Sequence, residues 1–394
     1  MKGRLFCIAV ALLLLLGAVG YYGFFVPTSE ALQRAESFEF RRMQVARVGD
    51  QEQYRFFFAT NRSVEGSTSL QEGLGAARGG ALTLGSFDTR IEPSLGLGRW
   101  LDASTWFLDE EIKVLDVRPL DRDAFVAELR AMVAASPHRG LLLLVHGYRA
   151  SFDFALRGTA FLANVLDINA PVMVFDWPGN QGSSWSGYRR AQQVAGESSA
   201  ELAETLRLIA REIRPDRLWL VANSMGAQVA VEAFSQLYRD SDFADADFEI
   251  DDLVLTAPDV DRARFNEQFK KELAALVRNT TVYVSSNDRA LLASRLINRA
   301  RRLGESTLSK EDAEVLDSAE AGFDLVDAGS DRVSLVDVTP VNRTRNFHNF
   351  SLEVPEYFDD IFLRLTNPET PENRLRYQFR MPDGKRYWVL TRGR

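Results

Sequence analysis

The sequence predicts an α/β fold, a doubly wound and mainly parallel sheet with β additions at the N-terminal side and a C-terminal β-hairpin. Three observations predict it. From Gly140 onward, apolar runs of strand length alternate with stretches of helical period. The strand runs, such as "GLLLLV" and "PVMVF", lack polar alternation, so both faces of their sheet are covered. Finally, Ser224 stands in "VANSMGAQV", at a strand-to-helix corner, and open sheets of this class hold ligands at the carboxyl ends of their strands.

Taken in order, residues 1–27 open with Lys2 and Arg4, followed by an uncharged run from Leu5 to Val26. As a helix that run spans about 33 Å, enough to cross a bilayer. Tyr21, Tyr22, Phe24 and Phe25 gather at its far end, where aromatic rings favour the membrane interface. This segment is expected to be a transmembrane anchor. The competing reading is a cleaved signal peptide, with Leu5–Leu16 as its apolar region and Ala18-Val19-Gly20 as the cleavage signal. A basic head is cytoplasmic by charge bias. The expected location is the bacterial inner membrane, single-pass, with the body in the periplasm; after cleavage the protein would be periplasmic or secreted.

Residues 28–42 are polar and read as a linker, and residues 43–372 as the main domain. From Met43 to about Pro119, "QYRFFFATNR", "GALTLGSFDTRI" and "EIKVLDVRPL" read as strands separated by glycine and serine clusters such as "SVEGSTSLQEGLGAARGG". "DAFVAELRAMVAA" reads as a helix. Strands then follow at "GLLLLVHGY", "APVMVFDWP", "RLWLVANS", "DDLVLTAPD", "TTVYVSSND" and "RVSLVDV". Helices alternate with them at "SFDFALRGTAFLANVL", "SSAELAETLRLIAREI", "MGAQVAVEAFSQLY", "RFNEQFKKELAALV", "ALLASRLINRARR" and "PEYFDDIFLRL". The stretch from Gly304 to Asp327 is either a lid or a surface excursion. Residues 373–394 form an extension whose Asp383-Gly384 marks a hairpin turn.

Composition narrows the function. The 394 residues are 46% apolar and 26% charged, with a net charge of −8, which speaks against nucleic acid as a partner. Cys7 is the sole cysteine, so there is no intramolecular disulfide and no cysteine-based zinc site. His138, His146 and His348 are far apart, without an H-E-x-x-H pattern, and no transition-metal site is expected.

The corner at Ser224 carries the chemistry. A strand, then Ala-Asn-Ser-Met-Gly, then a helix, is the layout that strains a serine and projects its hydroxyl from a sheet. Small neighbours two places away, Ala222 and Gly226, are what such a turn needs. A serine hydroxyl needs a base to take its proton. His348, in a loop before the last helix, is the expected base. His146 shapes the loop after an earlier strand, and His138 lies on a solvated turn. The acid that holds the imidazole is expected to be Asp288, three residues past a strand, with Asp259 one strand earlier as the other candidate. Asp288 also reads as a helix cap. Oxyanion donors are expected at the backbone N–H of Met225 and of Tyr148, with Arg149 N–H as the alternative.

"FFFATNR", "LLVHGYRASF", "FDWPG", "NSMGAQV", "APDVDRARF", "SSNDRALL" and "FHNF" occur in that order. Together, over about residues 50–365, they resemble the α/β-hydrolase superfamily, and within it the bacterial esterase/lipase-like group called domain of unknown function 900. The resemblance implies a cofactor-free serine hydrolase with Ser224 as nucleophile, Asp288 as acid and His348 as base. Ala222 stands where glycine is usual, and Asn223 where the group often has histidine. The expected function is cleavage of small-molecule or lipid acyl esters, with a membrane partner through residues 1–27. A non-catalytic binding module on the same fold, and an acyltransferase or thioesterase with the same triad, are the alternatives.

Overall fold

Among the described residues, eleven strands join in one sheet, ordered β10-β11-β9-β8-β7-β6-β4-β5-β1-β2-β3. They are β1 Gln53–Val64, β2 Leu74–Ile91, β3 Ile112–Pro119, β4 Gly140–Val145, β5 Val172–Asp176, β6 Arg217–Asn223, β7 Ile250–Thr256, β8 Val277–Val284, β9 Val333–Asp337, β10 Arg376–Arg380 and β11 Arg386–Leu390. The computed structural model describes residues 43–49, 53–65, 70–91, 112–240, 243, 249–305, 332–344, 348–367, 376–380 and 386–391. The expected anchor and linker (1–42), most of the stretch read as a lid, and the Asp383-Gly384 turn lie outside them. Among the described residues no helix is long and apolar enough to cross a membrane.

The central block from β1 to β9 is parallel, and β2, β3 and β10 run antiparallel to their neighbours. Several of the strand-linking helices begin where a side chain accepts a free N–H group of the first turn. Asp121 caps α1 (Arg122–Ala135), Ser151 caps α2 (Phe152–Leu166) and Ser184 caps α3 (Trp185–Leu208). Helix α4 (Gly226–Tyr238) follows the corner at Ser224. Helix α5 runs as Arg262–Arg264, a π-turn Phe265–Phe269 and Lys270–Leu276. Asp288 caps α6 (Arg289–Asn298), and Pro355 opens α7 (Pro355–Thr366).

Strand periodicity divides the core in two. Leu143, Val145, Leu220 and Ala222 face one side with Leu202 of α3 and Phe234 of α4. Leu142, Leu144, Val174 and Val221 face the other with Leu156 of α2 and Ile361 of α7. Neither face is left to water, which is why these strands are apolar throughout.

Three features differ from the sequence expectation. Helix α3 starts at Trp185, well before "SSAELAE", because the Ser184 side chain accepts from Gly187 N–H and starts the helix earlier. The glycine-rich "LGAARGG", expected as a separator, is the first half of β2. It pairs with β1 across register shifts at Thr60/Arg62 and Arg62/Val64, where bulged strands accept glycine. The C-terminal hairpin does not stand apart as an extension. β11 pairs with β9, and Arg376 of β10 meets the buried Asp360 of α7 at 2.6 Å. The segment thereby covers a sheet edge that would otherwise be exposed.

Candidate active site

The order of the sheet brings the site together. β4 lies between β5 and β6, so the chain leaves β4 in one direction and later returns on its other side. The loops after β4 and β6 diverge around a crevice, the usual ligand position in such sheets.

Ser224 directly follows β6 with φ +53°, a left-handed backbone that costs a side-chain-bearing residue about 1–2 kcal/mol. Neighbouring loops hold it there. Its N–H donates to Thr256 O at 2.9 Å, and its carbonyl accepts from Asp259 N–H at 3.0 Å and Ala227 N–H at 3.1 Å. A side chain at Gly226 would sit 2.3 Å from His146 O, so the sharp turn requires glycine at that position. Ala222, which stands where glycine is usual, is fully buried within β6, and its methyl packs in the core.

His348 Nε2 lies 2.9 Å from Ser224 Oγ, and its Nδ1 lies 2.6 Å from Asp288 Oδ2. Asp288 is 4% exposed and uses its two oxygens separately. Oδ1 accepts from Leu291 N–H at 2.9 Å, capping α6, while Oδ2 faces the imidazole. The cap and the imidazole partner, alternatives in the sequence, are thus both present in one side chain. Asp259 is occupied elsewhere. Arg302 Nε, Ser294 Oγ and Tyr188 OH each donate to it at 2.6 Å. Burial beside that carboxylate pushes the Tyr188 hydroxyl well above the usual tyrosine range.

The other histidines have different settings. His138, expected to be solvated, is half-buried with its ring edge-on to Trp219. His146 stacks on Trp177, with centroids 5.6 Å apart, and its Nε2 lies 2.9 Å from Asp176. Its Nδ1 donates to Gly147 O at 2.9 Å. Because a trans peptide sets N–H opposite to C=O, that bond turns the Tyr148 N–H away from the His146 ring. Arg149 N–H, the alternative donor, is spent on Gly179 O at 2.9 Å. Met225 N–H lies at the start of α4, where N–H groups lack intrahelical acceptors and the dipole favours negative charge.

Sequence reasoning missed the support beneath this loop. Arg62 of β1 and Asp176 of β5 form an ion pair at 2.7 Å, both side chains fully buried. Arg62 also donates to Ala150 O and Trp177 O. Burial disfavours the Asp176 carboxylate, but Arg62 and His146 outweigh it and hold the group down to about 2. The signal was present in "FATNR" and "FDWPG", two apolar strands each ending in an unexpected charge.

A family model described as "Alpha/beta hydrolase of unknown function (DUF900)" matches residues 121–349, more than half of the chain. The chain belongs to this family. Among solved structures, this α/β hydrolase is similar to a CIB-like hydrolase from Thermoplasma acidophilum, at 18% identity over 59% of this chain and 88% of that one, with a TM-score of 0.32. Inhibited esterase B from Lactobacillus rhamnosis is 11% identical over 91% and 98% of the two chains, at 0.31. A lipase-esterase related protein from Clostridium acetobutylicum is 12% identical over 59% and 94%, at 0.27. No curated protein matches the sequence.

In this hydrolase Ser224 and His348 open onto a cavity of about 670 Å³, within the range of small-molecule sites. Tyr148, Tyr188 and Asp259 also border it. Among the described residues no cluster of His, Cys, Asp and Glu is arranged to hold a metal ion.

Proposed function

We propose that this α/β hydrolase cleaves carboxylic esters through Ser224, His348 and Asp288. The observation that carries the reading is the continuous relay from Asp288 Oδ2 through the imidazole to Ser224 Oγ, at 2.6 and 2.9 Å. A carboxylate on Nδ1 keeps the proton there and leaves Nε2 as an acceptor for the serine proton. Ser224 Oγ attacks the ester carbonyl carbon while His348 Nε2 takes its proton. The tetrahedral oxyanion forms against Met225 N–H and Tyr148 N–H, each donor worth about 10²–10³ in rate. Collapse expels the alcohol, which takes the proton from Nε2, and leaves an acyl-serine. Water then attacks the acyl carbon with His348 as base, and Ser224 is released.

Asp288 orients the ring through its 2.6 Å contact with Nδ1. Arg62, Asp176 and His146 act one layer back, by holding the turn at Gly147 and Tyr148. The test is labelling by a fluorophosphonate probe, which modifies an activated serine. The wild type is expected to label and to hydrolyse acyl esters, and Ser224→Ala to do neither. A folded wild type that neither labels nor turns over esters would return the chain to the binding-module reading. From the basic head and apolar run of residues 1–27 we also propose attachment to the bacterial inner membrane with the catalytic body periplasmic. Alkaline carbonate extraction that releases the full-length chain would refute attachment.

A further inference from the structure

We infer that the cavity's apolar arm receives the acyl chain of the substrate, of medium to long length, and that Gly158 sets its depth. This rests on the ester-hydrolase reading above and names its substrate class. The cavity does not end at Ser224 and His348. It continues between the sheet and helices α2 and α7, along Leu144, Val174 and Val221 of the strands and Leu162, Leu166 and Ile361 of the helices. The polar groups on these walls are already occupied. Thr159 Oγ1 donates to Ala155 O at 2.7 Å, and the Tyr357 hydroxyl pairs with Thr256 Oγ1 at 2.6 Å. Nothing on this side is offered to a polar ligand, so the chemistry it would recognise is hydrocarbon.

Gly158 carries the argument further. It sits in the middle of α2, where glycine is less favourable than alanine by about a factor of four to five in helix equilibrium. A Cβ there would meet no atom within 4 Å, so packing does not demand the glycine. Its backbone lines the cavity instead. The missing side chain leaves open the space that a larger residue would fill. The acyl half of an ester stays attached to the enzyme through both steps, whereas the alcohol must leave after the first. A buried apolar arm suits the half that stays.

The test uses the full chain and p-nitrophenyl esters from acetyl to tetradecanoyl. In the wild type, kcat/KM is expected to rise about fourfold per methylene until the arm is full. Gly158→Leu and Gly158→Phe are expected to lower the ratio of decanoyl to acetyl turnover by at least tenfold, with Phe the more severe. A wild-type profile that falls beyond butyryl, or variant profiles parallel to it, would overturn the inference while leaving ester hydrolysis intact. So would a gain that follows alcohol length in alkyl acetates rather than acyl length. Absence of all ester turnover would instead refute the proposed function. The cavity is then tested by decanoate binding to Ser224→Ala, weakened at least tenfold by adding Gly158→Leu. Lack of decanoate binding to folded Ser224→Ala would overturn the arm itself. Circular dichroism checks folding, and if Gly158→Phe does not fold, Gly158→Leu decides.

Discussion

Replacing Asp288 with asparagine separates its two roles, because an amide cannot make both of the bonds the carboxylate makes. The cap needs an oxygen facing Leu291 N–H, 2.9 Å away. Once the single amide oxygen takes that place, the NH₂ group faces His348 Nδ1, where the carboxylate oxygen now lies at 2.6 Å. An NH₂ donor forces Nδ1 to accept, so the ring proton moves to Nε2. The nitrogen facing Ser224 then has no lone pair for the serine proton. The reversed tautomer is expected to lower kcat by about 10⁴-fold, some 5.5 kcal/mol. Stability should change by less than about 1 kcal/mol, since asparagine caps a helix as well as aspartate. Steady-state hydrolysis and urea unfolding of wild type and Asp288→Asn measure the two effects. Asp259→Asn is the control, expected to lose stability through Arg302 and at least a hundredfold less kcat. If Asp288→Asn keeps kcat within tenfold of wild type, or if Asp259→Asn is the more damaged in turnover, the assignment of roles is wrong.

Other perturbations test the framework. Arg62→Met leaves the Asp176 carboxylate buried without its cation and is expected to cost about 3–5 kcal/mol in denaturant unfolding; a loss below 1 kcal/mol would contradict the buried pair. The depressed Asp176 contributes about 2 kcal/mol that is complete above pH 3.8 and lost as pH falls from there through about 2, which acid titration of stability reads in wild type but not in Asp176→Asn. Asp252 has the opposite sign: burial raises it to about 6, against the pull of Arg364, so stability declines as pH rises from about 4 to 6. Asp252→Asn should remove that decline and be more stable at pH 7, and an unchanged pH profile would contradict it. Ser224→Gly should be more stable than Ser224→Ala by about 1 kcal/mol, because only glycine tolerates φ +53° without strain; equal melting midpoints would show that the turn is unstrained. Gly226→Ala is expected to abolish soluble expression or turnover, since its methyl meets the His146 carbonyl; full activity would refute the close approach.

The sequence by itself determined the class of sheet, the serine corner and the short list of partners. Strands such as "GLLLLV" are apolar at every position because both faces are buried, and that is visible without coordinates. The corner was equally legible, since a serine between small residues at a strand-to-helix junction is a local pattern. What local pattern could not supply was pairing at a distance. Asp259 and Asp288 occupy equivalent places in sequence, each shortly after a strand. Only the packing of Arg302, Ser294 and Tyr188 takes one of them away, while His348 meets the other. The β-strand made from "LGAARGG" defied propensity for a similar reason, because its ladder to β1 outweighs what glycine costs locally. The same holds for Arg62 and Asp176, 114 residues apart, whose burial is tolerable only because each neutralises the other. Periodicity and turn chemistry act over a few residues and so can be read along the chain. Which charge meets which, and which backbone N–H remains free beside Ser224, depends on how the loops after β4, β5, β6, β7 and β8 converge, and that is decided only when the sheet assembles.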